Sequence, residues 1–250
     1  MPATPADHAI AHRLATEAGD LLVALRARLT AEGEAPAALK AEGDRQAHEL
    51  LMAGLAAAAP DDAVLSEEGK DDHVRLSATR VWIVDPLDGT REFSEVPRTD
   101  WAVHVALVEG GTPIAGAVAL PAQGVTLSTE APPALSPAVD GPPRLVVSRT
   151  RPPAAAQQLA DALDGVLVEM GSAGAKAMAV VQGDVDIYAH SGGQYEWDSC
   201  APVAVAAAAG LHTSRLDGSP LVYNQADVYL PDLLICRPEL AQRALAILNP

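Results

Sequence analysis

Four carboxylates in this chain stand where an apolar run gives way to a turn. Glu67 follows Ala63-Val64-Leu65-Ser66, Asp85 and Asp88 lie in Val84-Asp85-Pro86-Leu87-Asp88, and Asp198 closes Glu196-Trp197-Asp198. Such junctions are often filled by helix caps or solvated turn residues. Three junctions of the same kind in one chain point instead to a shared task. Asp85 is the hardest to explain as a turn residue. It directly follows Val81-Trp82-Ile83-Val84, a run that reads as a buried strand, and a charge carried into a core needs a partner. A hard divalent cation is the natural one, because carboxylate oxygens suit Mg²⁺. Pro86, with no N–H to donate, is expected to end the ladder at Asp85. Gly89 and Thr90 then have the residue types of a tight turn that opens a helix, whose first N–H groups would face an anion. The stretch 81–93 therefore suggests a metal and a phosphate at one strand end. The seven histidines show no zinc-like spacing, and Cys200 and Cys236 are too few for a disulfide framework in 250 residues.

The elements that must position these acids follow from periodicity. Residues 8–29 place Ile10, Leu14, Leu21, Leu22, Leu25 and Leu29 at helical spacing, and a second helix is expected over 44–59 with Asp44 as its N-cap and Pro60 closing it. A short strand (63–65) precedes the one at 81–84. Apolar, β-branched runs at 101–108, 114–120 and 125–129, separated by turn residues, predict an antiparallel meander. The proline-rich stretch 131–143 is the expected boundary between an α+β half (1–135), holding most of the metal ligands, and an α/β half (136–250) contributing Asp198. In the second half strands are expected at 144–147, 166–169, 185–189 and 233–236, alternating with helices at 152–163, 173–181, 199–209 and 238–248.

Composition narrows the partners. A net charge of −16 argues against nucleic acid and against an anionic membrane surface, but not against a small phosphorylated metabolite whose charge is met by metal ions. The most apolar segment, 200–211, is too short to span a bilayer, and the first residues show neither a basic nor an apolar targeting region, so a cytoplasmic location is expected.

WIVDPLDGTREF and the later EWDSCAPVAVAAAAG resemble the two signature motifs of the inositol monophosphatase superfamily of Mg²⁺-dependent, lithium-sensitive phosphatases, and Ser66-Glu67-Glu68 resembles its third metal-binding element. The resemblance implies a layered α/β/α/β/α sandwich and a site of two or three Mg²⁺ ions. It implies that Glu67, Asp85 and the carbonyl of Leu87 hold the first ion, and that Asp85, Asp88 and Asp198 hold the second. It places Asp44 beside a third, weaker ion and the attacking water, which Thr90 and Glu67 would orient. The N–H groups of Gly89 and Thr90 would grip the scissile phosphate. Two cations about 3.5–4 Å apart clamp the attacking and leaving oxygens in such enzymes. Ser172 and Cys200 are not expected to act as nucleophiles.

Within that family, Arg91-Glu92-Phe93, Ser148-Arg149-Thr150-Arg151 and Gly171-Ser172-Ala173-Gly174-Ala175-Lys176 resemble elements of the CysQ-type branch. That branch removes the 3′-phosphate of 3′-phosphoadenosine 5′-phosphate (PAP), a by-product of sulfate assimilation. The resemblance implies a second anion site built from Arg149, Arg151, Lys176 and the helix start at Ser172, with Arg91, Ser148 and His190 nearby. His190 stands where related nucleotidases have Arg, Lys176 falls one residue late, and Arg151 replaces a His. Inositol 1-phosphate and fructose 1,6-bisphosphate are the rival substrates. A non-catalytic phospho-ligand sensor would require loss of a metal or water-orienting position, and none is lost. The family often forms homodimers, although no stripe in this sequence marks an interface.

Overall fold

A computed structural model of the chain describes residues 3–137 and 141–250. Helices α1 (Pro5–Ala31) and α2 (Pro36–Ala58) lead into a five-stranded sheet made of β1 (Ala63–Ser66), β2 (Arg80–Asp88), β3 (Ala102–Glu109), β4 (Thr112–Leu120) and β5 (Val125–Ser128), in that order across the sheet. The one-turn helix α3 (Thr90–Ser94) follows β2 directly. β1 runs parallel to β2, and the rest form the expected antiparallel meander. The second sheet has the order β7-β6-β8-β10-β9, with β6 Arg144–Ser148, β7 Val166–Met170, β8 Ile187–Tyr195, β9 His212–Ser214 and β10 Tyr229–Cys236. Helices α4 (Ala154–Leu163), α5 (Ala173–Gln182), α6 (Glu196–Ala208) and α7 (Pro238–Leu248) alternate with its strands.

The strand period of two explains the layering. On β2, Trp82 and Val84 join Val103, Val105 and Leu107 of β3 in packing against α1 and α2. The alternate residues Val81, Ile83, Ala106 and Val108 pack with α5, α6 and the near face of the second sheet. Leu145, Ile187 and Leu234 point the other way, toward α4 and α7. The result is the five-layer α/β/α/β/α sandwich, with α5 and α6 as its middle.

Several boundaries differ from the sequence reading. α2 begins eight residues before Asp44, at Pro36 with Ala35 as its N-cap. Pro36 pre-sets the first turn, and Ala37, Ala38 and Leu39 carry the helix on, so Asp44 is an interior residue and not a cap. β2 does not stop at Asp85. It continues through Pro86 to Asp88, with a register shift there: Asp85 pairs with His104 and Asp88 with Ala102, three steps on β2 against two on β3. Pro86 is accommodated because a bulge leaves its missing N–H without a ladder partner to disappoint. α4 starts at Ala154 after Pro153, and α6 starts at Glu196, three residues earlier than its apolar run. β8 and β10 extend well beyond the apolar cores by which they were recognisable, and β9 carries no sequence signal of its own. Residues 131–137 and 141–143 form neither helix nor strand, and 138–140, in the expected boundary loop, lie outside the described residues.

Candidate active site

The bulge in β2 decides where the carboxylates point. On an even strand, residues three apart face opposite sides of the sheet; one extra residue returns the second to the side of the first. Asp85 and Asp88 thus both face the middle layer, where α6 presents Asp198 from its first turn. One carboxylate oxygen from each of Asp85, Asp88 and Asp198 lies within 4.8 Å of the others. Asp198 is held there by the α6 start, its Oδ2 accepting the Tyr195 N–H at 2.6 Å. Asp85 Oδ1 accepts the Leu87 N–H at 3.0 Å, and this turns the Leu87 carbonyl toward Thr90, whose Oγ1 donates to it at 3.1 Å. Gly89, with φ +83°, makes the left-handed step from β2 into α3 that a residue with a Cβ would resist.

Two further acids converge on the triad. Glu67, just past β1, is exposed as a residue, yet its carboxyl leans on Asp85. Asp44 reaches across from α2, and its Oδ1 accepts from Thr90 Oγ1 at 3.3 Å. Burial, with the charges of Asp88 and Glu68, outweighs the lowering contact with Asp85 and leaves Glu67 raised to about 7. Burial and then Glu68 raise Asp44 to about 6. Burial, then Glu67, Asp88 and Asp198, push Asp85 well above the usual carboxylate range. Burial and Asp88 bring Asp198 up to about 7. Asp88 behaves oppositely. Burial would raise it, but His104, Ser172 and Lys176 outweigh that and hold it at about 2. A cluster of hard oxygens that repel one another this strongly fits a divalent cation, and Mg²⁺ suits such a set. Asp85, Asp88 and Asp198 could hold one ion directly, with Glu67 and the Leu87 carbonyl beside them.

The expected substrate contacts divide. Ser148, Arg151, Ser172, Lys176 and His190 line a cleft of about 490 Å³ whose wall also carries Asp88 and Asp198. Arg149 turns away from it. Its Nε donates to Glu92 Oε1 at 2.6 Å and its Nη2 to Glu95 Oε2 at 2.7 Å. Arg91 is exposed and pairs with Glu95. The start of α5 is already engaged by an anion of the protein. Ala173 and Gly174 donate their N–H groups to Asp88 at 3.1 and 2.6 Å, and the Ser172 hydroxyl also donates to Asp88. The carboxylate of Asp88 satisfies the helix start that an isolated reading assigns to a phosphate. Lys176 is 5% exposed, and its Nζ donates to the carbonyls of Gly171 and Ser172 at 3.1 and 2.6 Å. His190 is held down to about 4 by burial and the neighbouring Lys176, and its Nε2 faces the Gly192 carbonyl at 2.9 Å, so at neutral pH it brings no charge. Arg151 is the exposed cation of the cleft.

One contributor escapes the sequence reading. His104 is fully buried beside Asp88. The available signal was a lone ionisable residue inside 101–108, a run otherwise apolar on both faces.

Comparison with known proteins identifies the family and the fold. The inositol monophosphatase family model matches residues 7–249. A 3′-phosphoadenosine 5′-phosphate phosphatase of Mycobacterium leprae is 52% identical, over 97% of this chain and 93% of that protein. The 3′(2′),5′-bisphosphate nucleotidase CysQ of Escherichia coli is 33% identical over 75% of this chain and 80% of its own. Among solved structures, CysQ from Bacteroides thetaiotaomicron superposes with a TM-score of 0.76 at 25% identity, covering 92% of this chain and 96% of that one. With the layered fold, the acid triad and a match over nearly its whole length, this chain belongs to the inositol monophosphatase family.

Proposed function

We propose that this protein is a Mg²⁺-dependent phosphomonoesterase that hydrolyses the 3′-phosphate of PAP to give AMP and inorganic phosphate. The observation that carries the reading is the convergence of Asp85, Asp88 and Asp198, the last two of them on the wall of a cleft of about 490 Å³ that also contains Arg151. That volume suits a mononucleotide, and an exposed guanidinium in the same cleft suits a second phosphate. The similarity to the M. leprae PAP phosphatase supports the same substrate. No helix among the described residues is long and apolar enough to cross a membrane.

Mg²⁺ held by Asp85, Asp88 and Asp198 would supply charge neutralisation at the phosphoryl oxygens and acidify the attacking water. The chain's own groups do the rest. Thr90 has its hydroxyl proton directed at Asp44 and the Leu87 carbonyl, which leaves its oxygen lone pairs to accept from a water. Glu67, which leans on Asp85, and Asp44, which accepts from Thr90, are the carboxylates placed to take that water's proton. The water oxygen bonds to phosphorus and keeps its remaining proton in the product phosphate. The bond between phosphorus and the 3′-oxygen breaks, and the leaving oxygen receives the proton the base had taken, which gives the ribose hydroxyl and restores the base. Asp88, pinned by α5, stays charged through the pH range in which its neighbours titrate.

The test is kcat/KM with Mg²⁺ on PAP, inositol 1-phosphate and fructose 1,6-bisphosphate. A clear preference for PAP is expected. Equal or better turnover of inositol 1-phosphate would overturn the assignment of substrate.

A further inference from the structure

We propose that His104 is a positioning residue of the metal centre: its buried ring ties Asp88 on β2 to the start of α6, so that Asp88 and Asp198 keep the spacing a shared cation needs. The proposal rests on reading the acid triad as a metal centre. Three observations carry it. The ring is wholly buried, and Nδ1 lies 2.9 Å from the Trp197 carbonyl, the residue immediately before Asp198. A carbonyl only accepts, so Nδ1 holds a proton and the ring orientation is set. On the other side, Nε2 stands 3.3 Å from Asp88 Oδ2, off the line of a full hydrogen bond. With the Nδ1 proton spent on Trp197, the contact draws the carboxylate in when Nε2 carries a proton as well and both ring nitrogens donate. The third observation comes from α5. A Cβ on Gly174 would fall 2.0 Å from His104 Nε2, so the helix omits a side chain at the place the ring occupies.

The topology makes such a tie useful. Asp88 belongs to the first sheet and Asp198 to the middle helical layer, and nothing covalent holds the two within a cation's reach. Carboxylate oxygens of the two within 4.8 Å repel each other, which acts to separate them. His104 is the register partner of Asp85 on β3, so its side chain emerges on the same face as that acid, between the two elements. Groups that orient ligands in this way typically change metal affinity about 10–100-fold when removed. A core histidine with only a packing role would leave that affinity unchanged.

The experiment is a calorimetric Mn²⁺ titration of the purified protein without substrate, with circular dichroism to confirm folding. His104→Asn retains an amide near the Nδ1 position and so the Trp197 bond; His104→Gln retains one near Nε2 and so the Asp88 contact. A tie needs both ends, so each variant is expected to bind Mn²⁺ about tenfold more weakly or worse. Gly174→Ala keeps the histidine but displaces its ring, and alanine favours the helix, so this variant should fold and also bind weakly. The double variant His104→Asn/Gly174→Ala should be no weaker than either single one, because the shorter side chain makes room for the new methyl. Wild-type Mn²⁺ affinity in folded His104→Asn and His104→Gln, or in Gly174→Ala, would overturn the proposal. Absence of Mn²⁺ binding by the wild-type protein would overturn the metal reading with it, whereas a different preferred substrate would leave this titration untouched.

Discussion

Asp198→Asn should make the metal-free protein more stable while removing its response to Mg²⁺. In the native state Asp198 is raised from 3.8 to about 7 by burial and by Asp88. Between pH 4 and 7 the native state therefore holds a proton that the unfolded chain has released. Stability falls as pH rises through that window, and the penalty is complete above pH 7. The rise corresponds to about 4 kcal/mol on the ionised form. Asp85 and Glu67 share the same repulsion, so removing one charge should recover about 2–4 kcal/mol. Asparagine is nearly isosteric, and its carbonyl oxygen can still accept the Tyr195 N–H, so the start of α6 survives. For a chain of this size the gain corresponds to about 5–15 °C in Tm. Thermal melts in EDTA at pH 5 and pH 8 provide the check. The variant should melt above wild type at pH 8 and by only about a third of that margin at pH 5, where the native acid is protonated and most of the penalty has yet to accrue. With saturating Mg²⁺ the order should reverse, because ligand binding stabilises only the protein that retains the full acid set. Equal melting of the two proteins in EDTA at pH 8, or an equal Mg²⁺-dependent rise in both, would refute the reasoning.

Two further outcomes follow from the same geometry. Asp88→Asn turns an amide donor toward the Ser172 hydroxyl and the Gly174 N–H and removes a charge from the site, so kcat with Mg²⁺ should fall by at least about 100-fold; near-wild-type turnover would show that Asp88 is not needed in the metal centre. Arg149→Ala leaves Glu92, 6% exposed, without its guanidinium partner, and should destabilise the fold by about 3 kcal/mol in urea denaturation while moving the KM for PAP less than about twofold. A large rise in KM at unchanged stability would make Arg149 a phosphate contact after all.

The reaction chemistry was legible in the sequence because it is local. A strand, two acids, a glycine turn and a helix start lie within 81–93, and their residue types dictate both their backbone conformations and their affinity for cations. Glu67 and Asp198 were legible in the same local way, Glu67 closing the run 63–66 and Asp198 standing just ahead of the apolar run 199–209. The aliphatic periodicity of α1 and the turn-punctuated meander likewise follow from side-chain patterning alone. What the tertiary structure decided concerns partners distant in sequence. Ser172 and Asp88 are 84 residues apart, and Arg149 and Glu92 are 57 apart. A motif can show that Ser172 starts a helix or that Arg149 is cationic, but not that the anion each meets belongs to the protein itself. Asp44 read as a cap because Asp favours that position, whereas α2 begins upstream and carries it, mid-helix, to Thr90. Asp85 and Asp88 share a face only because β2 bulges against β3, a matter of pairing register that no single strand encodes. His104 belongs to the same class: its role exists only where β2, α5 and α6 meet, since a buried polar group takes its function from whichever elements the fold closes around it.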